Sequence, residues 1–285
     1  MRNIVIIGAA SGYGASNPAC QDGPEVLRSF DFLEQLEESG IFYRWNGILH
    51  HEEGEDRLPA VANTCSRLAD RTEAAIRGGD FPIVVGGDHS CAIGTWAGAR
   101  RTTERLGLLW IDAHMDSHTF ETSHSHAIHG MPLACLLGYG SAALTKIPPS
   151  GAKLLPGDVC LIGTRSYEKE EKELLDRLGV RIYYMGEIRQ RGLGTCISEA
   201  LSIVTKSTTG FGVSIDLDAF DPMEEPGVGS PVPDGLFRNE IAEAFTGIAE
   251  NPDFLALEIV EYNPYLDRKF ATAHAISDLI EAIAA

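Results

Sequence analysis

The sequence has few basic residues and no apolar segment long enough to cross a membrane. Its 285 residues include 23 lysines and arginines against 41 aspartates and glutamates, which gives a net charge of −18. A surface of this sign opposes binding to nucleic acid or to an anionic membrane. It suits a small cationic substrate or a metal ion. Because every apolar run is well short of the ~20 residues of a membrane helix, we expect no membrane partner.

Cysteine is scarce and never forms a Cys-x-x-Cys motif. The six cysteines are scattered along the chain, so their spacing indicates neither a disulfide framework nor a zinc site. We expect buried thiols, typical of a reducing compartment. The first residues lead directly into the strand-like segment 4–7, which is too short for a signal peptide. Cytoplasmic localisation is the resulting expectation.

Apolar segments typical of buried strands alternate with segments of helical periodicity, about eight of each. Without linker or repeat, residues 1–285 are expected to form one domain. The alternation predicts a three-layer α/β/α sandwich with a mainly parallel sheet, or alternatively a closed barrel of β/α units. The predicted strands are 3–7, 41–49, 82–85, 106–110, 158–162, 180–184, 210–215 and 254–260. The predicted helices are 22–39, 57–77, 91–104, 129–137, 168–178, one within 187–205, 238–250 and 267–285, the last with a short break near Ala271. The segment 138–151 is expected to be a loop.

Acidic and histidine side chains follow the central strand at alternate positions: Asp112, His114 and Asp116. In an extended backbone such side chains point the same way. Two carboxylates and an imidazole together suit a divalent cation. Catalytic crevices of α/β sheets lie at the carboxyl ends of the strands, so this segment predicts a metal site at that edge of the sheet.

Two further strand ends carry the same chemistry. His89 follows the strand 82–85, and Asp216 and Asp218 follow the strand 210–215. Four carboxylates crowded together raise one another's pKa values and resist burial. Two divalent cations would cancel their charge, so the pattern predicts a binuclear metal centre. Neighbouring acids, Asp88 and Asp221, are interpreted as turn or cap residues.

Motifs along almost the whole chain resemble those of the ureohydrolase family, which comprises arginases, agmatinases and related guanidino hydrolases. The matching segments are Gly23-Pro24-Glu25-Val26-Leu27-Arg28, Gly86-Gly87-Asp88-His89-Ser90, Asp112-Ala113-His114-Met115-Asp116, His129-Gly130-Met131-Pro132, Ser214-Ile215-Asp216-Leu217-Asp218-Ala219-Phe220-Asp221-Pro222, Gly227-Val228-Gly229-Ser230-Pro231-Val232-Pro233 and Glu258-Ile259-Val260-Glu261-Tyr262-Asn263-Pro264. The versions at 23–28 and 229–233 look more like arginase than agmatinase. The family fold is an open sandwich, which favours that architecture over the barrel.

The resemblance implies two manganese ions per chain, although cobalt or nickel also suits oxygen and imidazole ligands. One ion would be held by His89, Asp112, Asp116 and Asp216. The other would be held by Asp112, His114, Asp216 and Asp218. The ions would lower the pKa of a shared water, and the resulting hydroxide would attack the guanidinium carbon of the substrate.

The same resemblance implies three catalytic side chains. Asp116 would hold the hydroxide and accept its proton. Glu261 would orient the planar guanidinium group of the substrate. His129 would shuttle protons to the leaving amine.

The segment that reads the amino-acid end of the substrate in arginases departs from the family pattern here. His118 and Ala127 stand where arginases have asparagines, Ser125 matches a serine, and Glu168 stands where an aspartate helps to bind the α-amino group. We expect His118, Ser125 and Glu168 to form a replacement clamp. Ala127→Asn is expected to lower the KM for arginine if Ala127 faces the carboxylate.

Hydrolysis of L-arginine to L-ornithine and urea is therefore the predicted reaction. One alternative is the same hydrolysis with agmatine, a guanidino acid, N-hydroxyarginine or formiminoglutamate as the substrate. Another is a catalytically idle metal-binding or assembly protein. Related deacetylases have the same fold but bind a single zinc ion, whereas Asp116 and Asp218 favour two ions here. The resemblance also implies a trimer or hexamer. Four histidines have no assigned role: His50 and His51, interpreted as solvated loop residues, and His124 and His126.

Overall fold

Eight parallel strands form one open sheet in the computed structural model, which describes residues 2–30, 32–52 and 54–284. The strands are β1 (Ile4–Ala10), β2 (Tyr43–His50), β3 (Phe81–Gly86), β4 (Leu106–Ile111), β5 (Val159–Thr164), β6 (Arg181–Tyr184), β7 (Gly210–Asp216) and β8 (Phe254–Val260). Their order across the sheet is β2-β1-β3-β8-β7-β4-β5-β6. Because β2 and β6 are free edges, the sheet is a sandwich layer and not a barrel.

Helices cover both faces of the sheet. They are α1 (Gly23–Ser29), α2 (Glu34–Glu38), α3 (Arg57–Arg77), α4 (Ala92–Arg100), α5 (Pro132–Leu136), α6 (Ala142–Thr145), α7 (Lys169–Leu178), α8 (Met185–Arg191), α9 (Leu193–Thr205), α10 (Arg238–Ala249) and α11 (Ala271–Ala284). Successive strand residues point to opposite faces. In β1, Ile6 packs with α1 and α2, whereas Val5 packs with α3. The central strands are therefore apolar at almost every position.

The predicted helix 22–39 is wrong as a single element. Helix α1 ends at Ser29 and α2 begins at Glu34, and residue 31 lies outside the described residues. Asp22 makes no side-chain cap to α1; its carboxylate instead accepts a hydrogen bond from the hydroxyl of Tyr265 at 2.7 Å. A contact between residues so far apart in sequence is not visible in a local pattern.

Other boundaries also differ from the prediction. The segment 138–151 is not purely a loop, because it contains α6, which Ser141 caps. The segment 187–205 holds two helices that meet at Gly192, whose φ of 83° suits glycine. Helix α11 begins at Ala271 and not at 267, since Asp267 accepts hydrogen bonds from the backbone of its first turn.

Several smaller shifts complete the comparison. The segment from 129 opens as a 3-10 turn before α5, α4 is shorter than the predicted 91–104, and β1 and β5 run on to Ala10 and Thr164. The predicted bounds of α3 and β8 are confirmed.

All six cysteines are buried and free, as predicted. Among the described residues, no helix combines the length and apolarity needed to cross a bilayer.

The strand order explains why distant motifs meet. Strands β3, β8, β7 and β4 are the four central neighbours of the sheet, and their carboxyl ends share one edge because all are parallel. The turn after β3 must pass close to the backbone beyond β1. A Cβ on Gly87 would lie 1.8 Å from the carbonyl oxygen of Ser11, so only glycine fits there, and the turn delivers His89 to the centre of that edge.

Candidate active site

Three carboxylates surround one ring nitrogen of His89. Its Nδ1 lies 3.1 Å from Oδ2 of Asp116, 3.1 Å from Oδ2 of Asp216 and 3.4 Å from Oδ2 of Asp112. All four side chains are buried. They bring together every residue of the first predicted metal set.

A second group shares Asp112 with the first. The Nδ1 of His114 lies 3.0 Å from Oδ2 of Asp218 and 3.6 Å from Oδ1 of Asp112. In each group the candidate ligand atoms lie within 4.8 Å of one another. The second group holds three of the four residues predicted for that set, whereas Asp216 lies in the first group.

The charges of these groups fit divalent cations. Burial, reinforced by the charge of Asp112, raises the pKa of Asp116 to about 7. Burial together with Asp218 and Asp112 also raises the pKa of Asp216 well above its usual range. One ring nitrogen carries at most one proton and cannot satisfy three carboxylates. A cation relieves this repulsion, and the oxygen and imidazole donors are those that divalent metals accept.

The backbone reaches this arrangement by a turn and not by an extended strand. Strand β4 ends at Ile111, and the backbone of Asp116 has a φ of 47°, so the expectation of an extended segment is wrong. The amide of His114 donates to Oδ1 of Asp112 at 2.7 Å. This turn aims Asp116 at His89 and directs His114 toward Asp218. A positive φ at a residue other than glycine is typical of functional sites.

His129 and Glu261 form an ion pair beside the first group. The Nδ1 of His129 lies 3.0 Å from Oε1 of Glu261, and the same oxygen accepts from the amide of His89 at 2.9 Å. Burial opposes the charge of His129, but the Glu261 carboxylate prevails and raises the pKa of His129 to about 9. Burial is likewise outweighed at Glu261, where His129 lowers the pKa. Both side chains are therefore charged at neutral pH.

A cavity of about 400 Å³ opens above these groups. It joins residues of both metal groups to the side chains predicted to read the substrate. The lining residues are His114, Asp116, His118, Ser125, His129, Gly130, Ser166, Tyr167, Glu168, Glu171, Asp216, Asp218 and Ser230. Glu261 is not among the described residues that line it; its carboxylate is buried and contacts His129, which does line the cavity.

A further imidazole–carboxylate cluster, formed by His118, Glu168 and Glu171, lies in the cavity wall. The Nε2 of His118 pairs with Oε2 of Glu168 and lies 3.5 Å from Oε2 of Glu171. Glu168 is half exposed, whereas His118 and Glu171 are buried. Glu171 also completes a capping box with Glu168 at the start of α7. Glu171 is not predicted from the sequence, because a capping box is usually recognised by Ser, Thr, Asp or Asn at the N-cap and here that position is Glu168.

Ala127 does not contribute to the cavity. It is buried and is absent from the described residues that line the cavity. Its backbone amide donates to Oγ of Ser125 at 3.2 Å, so it supports a lining residue. The structure therefore gives no support to the expected effect of Ala127→Asn on the KM for arginine.

The other singled-out residues lie outside the metal groups. His50 is exposed and lies 3.2 Å from Glu25. His51 is half-buried and stacks on the ring of Tyr13 with centroids 4.3 Å apart, so its interpretation as a solvated loop residue is wrong. His124 and His126 are exposed and absent from the described cavity lining.

Asp88 and Asp221 are turn residues, as interpreted. The carboxylate of Asp88 accepts from the amide of Ser90 at 2.9 Å, and that of Asp221 accepts from the amide of Met223 at 3.0 Å. Neither belongs to the metal-binding groups found among the described residues. Their carboxylates hold the backbone of the turns that lie next to His89 and after Asp218.

Comparison with known proteins gives a consistent result. The Arginase family model matches residues 2–285. Arginase from Bacillus caldovelox is 40% identical over 283 residues, which cover 96% of this chain and 95% of that protein. A solved native structure of Bacillus caldovelox arginase has a TM-score of 0.94 and 38% identity, covering 99% of this chain and 98% of that one.

A more distant arginase has the same architecture. The crystal structure of Entamoeba histolytica arginase in complex with L-ornithine has a TM-score of 0.89 and 27% identity, covering 99% of this chain and 98% of that one. Sequence and fold agree over the full matched length. The chain therefore belongs to the arginase family and is an amidinohydrolase.

Proposed function

We propose that this enzyme hydrolyses L-arginine to L-ornithine and urea. The observation that carries the proposal is one cavity that joins Asp116 and Asp216 to the His118–Glu168 pair. Arginine needs both features, because the guanidinium must reach the carboxylates while the α-amino and α-carboxylate groups need polar partners. The names of the relatives, and the L-ornithine in the Entamoeba histolytica structure, support the same substrate.

Two manganese ions are proposed to occupy the metal groups. His89, Asp112, Asp116 and Asp216 would hold one ion. Asp112, His114, Asp216 and Asp218 would hold the other, so that Asp112 and Asp216 belong to both sets. When bound, the ions supply Lewis acidity that makes a water molecule nucleophilic near neutral pH.

The chain's own residues then handle the proton and the substrate. Asp116 lines the cavity, and its carboxylate can accept a proton from water during the attack on the guanidinium carbon. Glu261 stays ionised beside His129, which lines the cavity, and its carboxylate would accept from the planar guanidinium donors. His129 is protonated at neutral pH, lines the cavity and can donate its proton to the leaving amine.

The His118–Glu168 pair is proposed to read the amino-acid end of arginine. The Glu168 carboxylate is an acceptor for the α-amino group. His118 would exchange one partner of its ring nitrogens, Glu168 or Thr122, for the α-carboxylate and donate to it. Ser125 adds a hydroxyl on the same cavity wall. This clamp differs from the asparagine-based one of arginases in how it binds the carboxylate.

Agmatine is the second candidate substrate. Glu168 and Glu171 place two carboxylates against the single imidazole of His118. That excess of negative charge favours a substrate whose far end is an amine without a carboxylate. Agmatine has that structure, since it is arginine without its carboxylate.

A substrate panel tests the proposed reaction. Manganese-loaded enzyme is given arginine, agmatine, 4-guanidinobutanoate, N-hydroxyarginine and formiminoglutamate, and product release is measured for each. We expect the highest kcat/KM for arginine. A much higher kcat/KM for agmatine or 4-guanidinobutanoate would contradict the arginase assignment but would leave the metal-dependent chemistry standing.

Removal of the clamp imidazole is expected to affect arginine selectively. His118→Ala should raise the KM for arginine about tenfold or more, since a hydrogen bond to a charged group contributes about 1.5–3 kcal/mol. The KM for agmatine should change little, because agmatine has no carboxylate for His118 to bind. Steady-state kinetics of one variant on both substrates checks this, and an equal rise in both KM values would place His118 away from the carboxylate.

Metal binding should stabilise the fold measurably. Free manganese at about 100 times its dissociation constant adds about 2.7 kcal/mol to the free energy of unfolding, and relief of carboxylate repulsion is the physical source. Thermal unfolding is compared in chelator and in added manganese. We expect a higher melting temperature with manganese and no such rise for Asp112→Asn, whereas identical wild-type melting temperatures would count against the metal site.

A further inference from the structure

Glu258 is a buried carboxylate in the middle of the apolar strand β8. Its hydrogen-bond donors are neutral side chains. Oε1 accepts from the hydroxyl of Thr95 at 2.5 Å and from the thiol of Cys91 at 3.8 Å. Oε2 accepts from the indole of Trp96 at 3.1 Å and from the hydroxyl of Ser214 at 2.7 Å. A buried charge without a paired cation is costly. The reaction described above does not use Glu258, so its presence requires a different explanation.

Ser214 connects Glu258 to the metal groups. Its Oγ lies 3.0 Å from Nε2 of His89, on the ring edge away from the three carboxylates. Burial raises the pKa of Glu258, whereas donation by Thr95, Ser214 and Trp96 favours the ionised form. The indole N–H of Trp96 can only donate and it meets the same Oε2, so that oxygen is an acceptor. The single hydroxyl proton of Ser214, 2.7 Å away, therefore points to Glu258.

The direction of that proton decides how His89 is protonated. Because Ser214 donates to Glu258, its oxygen is left to accept a hydrogen bond from Nε2–H of His89. A histidine binds a metal as the neutral imidazole, and His89 in that form has its lone pair on Nδ1, the atom that faces the carboxylates of Asp112, Asp116 and Asp216. The partner of the remote ring nitrogen commonly sets the tautomer of a metal-binding histidine.

We propose that Glu258 is a positioning residue that acts through Ser214 to keep the proton of His89 on Nε2 and the lone pair of Nδ1 free for a metal ion. This inference rests on the proposed metal dependence of the enzyme, although not on the identity of the substrate. It predicts that metal affinity depends on the acceptor offered to Ser214.

Two substitutions of Glu258 distinguish its role as the hydrogen-bond acceptor of Ser214 from the effect of its negative charge. In Glu258→Met the hydroxyl of Ser214 loses its acceptor and becomes free to donate to Nε2, which favours a proton on Nδ1. Manganese affinity should fall about 10–100-fold, as is usual when the outer partner of a ligand is removed. In Glu258→Gln the amide oxygen can still accept from Ser214 and Trp96, while the amide NH2 faces Thr95. Its affinity should stay within about threefold of wild type, well below that loss.

Two further variants provide matched controls. Ser214→Ala breaks the link to His89 but leaves Thr95 and Trp96 on Glu258, so its affinity should fall like that of Glu258→Met. Thr95→Val removes one hydrogen bond from Glu258 and leaves Ser214 in place, so its affinity should stay near wild type. Ser214→Ala is a small change in a strand and keeps the test decisive if Glu258→Met does not fold.

The measurement is calorimetric titration of each metal-free protein with manganese, together with its melting temperature in chelator. We expect manganese affinity to depend on whether Ser214 has a hydrogen-bond acceptor. We do not expect it to correlate with the melting temperature of the metal-free variants. If Glu258→Gln and Thr95→Val lose as much affinity as Glu258→Met, Glu258 has only a structural role and the proposal is overturned. Wild-type affinity in Glu258→Met and Ser214→Ala would overturn it too.

The titration also separates this inference from the proposed reaction. A wild-type protein that binds manganese with the expected variant pattern but releases no urea from arginine would refute the arginase activity and support the role of Glu258. A wild-type protein that binds no manganese would overturn both.

Discussion

Asp216→Ala is expected to abolish urea release and to loosen both metal ions. Oδ2 of Asp216 lies 3.1 Å from Nδ1 of His89, and Oδ1 accepts from the amide of Asp218 at 2.9 Å. One carboxylate therefore completes the first metal group and also fixes the turn that carries a ligand of the second. Its loss removes ligand charge from one ion and disturbs the geometry at the other, so turnover should fall below detection.

Elemental analysis after manganese loading checks this prediction alongside the urea assay. Asp253→Ala is the matched control, because it also removes one carboxylate but at an exposed position before β8. The control should retain wild-type metal content and activity. Two tightly bound metals and near-normal turnover in Asp216→Ala would show that the binuclear assignment is wrong.

His129→Ala is expected to slow turnover by about 10²-fold, the size of a typical general acid contribution, while metal content stays intact. His129 lines the cavity and pairs with Glu261, but it belongs to neither metal group found among the described residues. Its pKa of about 9 keeps it protonated at neutral pH. The variant therefore loses the proton donor for the leaving amine and keeps every candidate metal ligand.

The experiment compares kcat and metal content in His129→Ala and in His124→Ala. His124 is an exposed histidine of the same segment that lies outside the described cavity lining, so its variant should turn over normally. If His129→Ala loses metal, His129 is a ligand and not a proton donor.

Local patterns in the sequence are sufficient to predict which acidic and histidine side chains meet at the carboxyl edge of the sheet. Strand ends can be recognised from apolar runs, and the residue types that follow them limit the chemistry. His89, Asp112 and Asp216 are thus found without a structure, because parallel strands place their carboxyl ends together. The order of the strands cannot be read in this way, since the insertion of β8 between β3 and β7 depends on packing of the whole sheet.

Contacts between distant residues are the part that sequence analysis misses. His118 and Glu168 meet although 50 positions separate them, and the left-handed φ of Asp116 follows from tertiary contacts such as the amide of Leu133 donating to its carbonyl. Glu258 did carry a signal. A charged residue inside an otherwise apolar strand is unusual enough to mark it, but its link to His89 through Ser214 requires the folded chain.

Titration of the metal-free enzyme with manganese, with urea release from L-arginine as the readout, tests the central claim most directly. Two metal groups that share Asp112 predict that activity rises with added metal and reaches its plateau at two ions per chain, with ornithine and urea formed in equal amounts. A plateau at one ion per chain, or saturation with metal without urea release from arginine, would contradict the account.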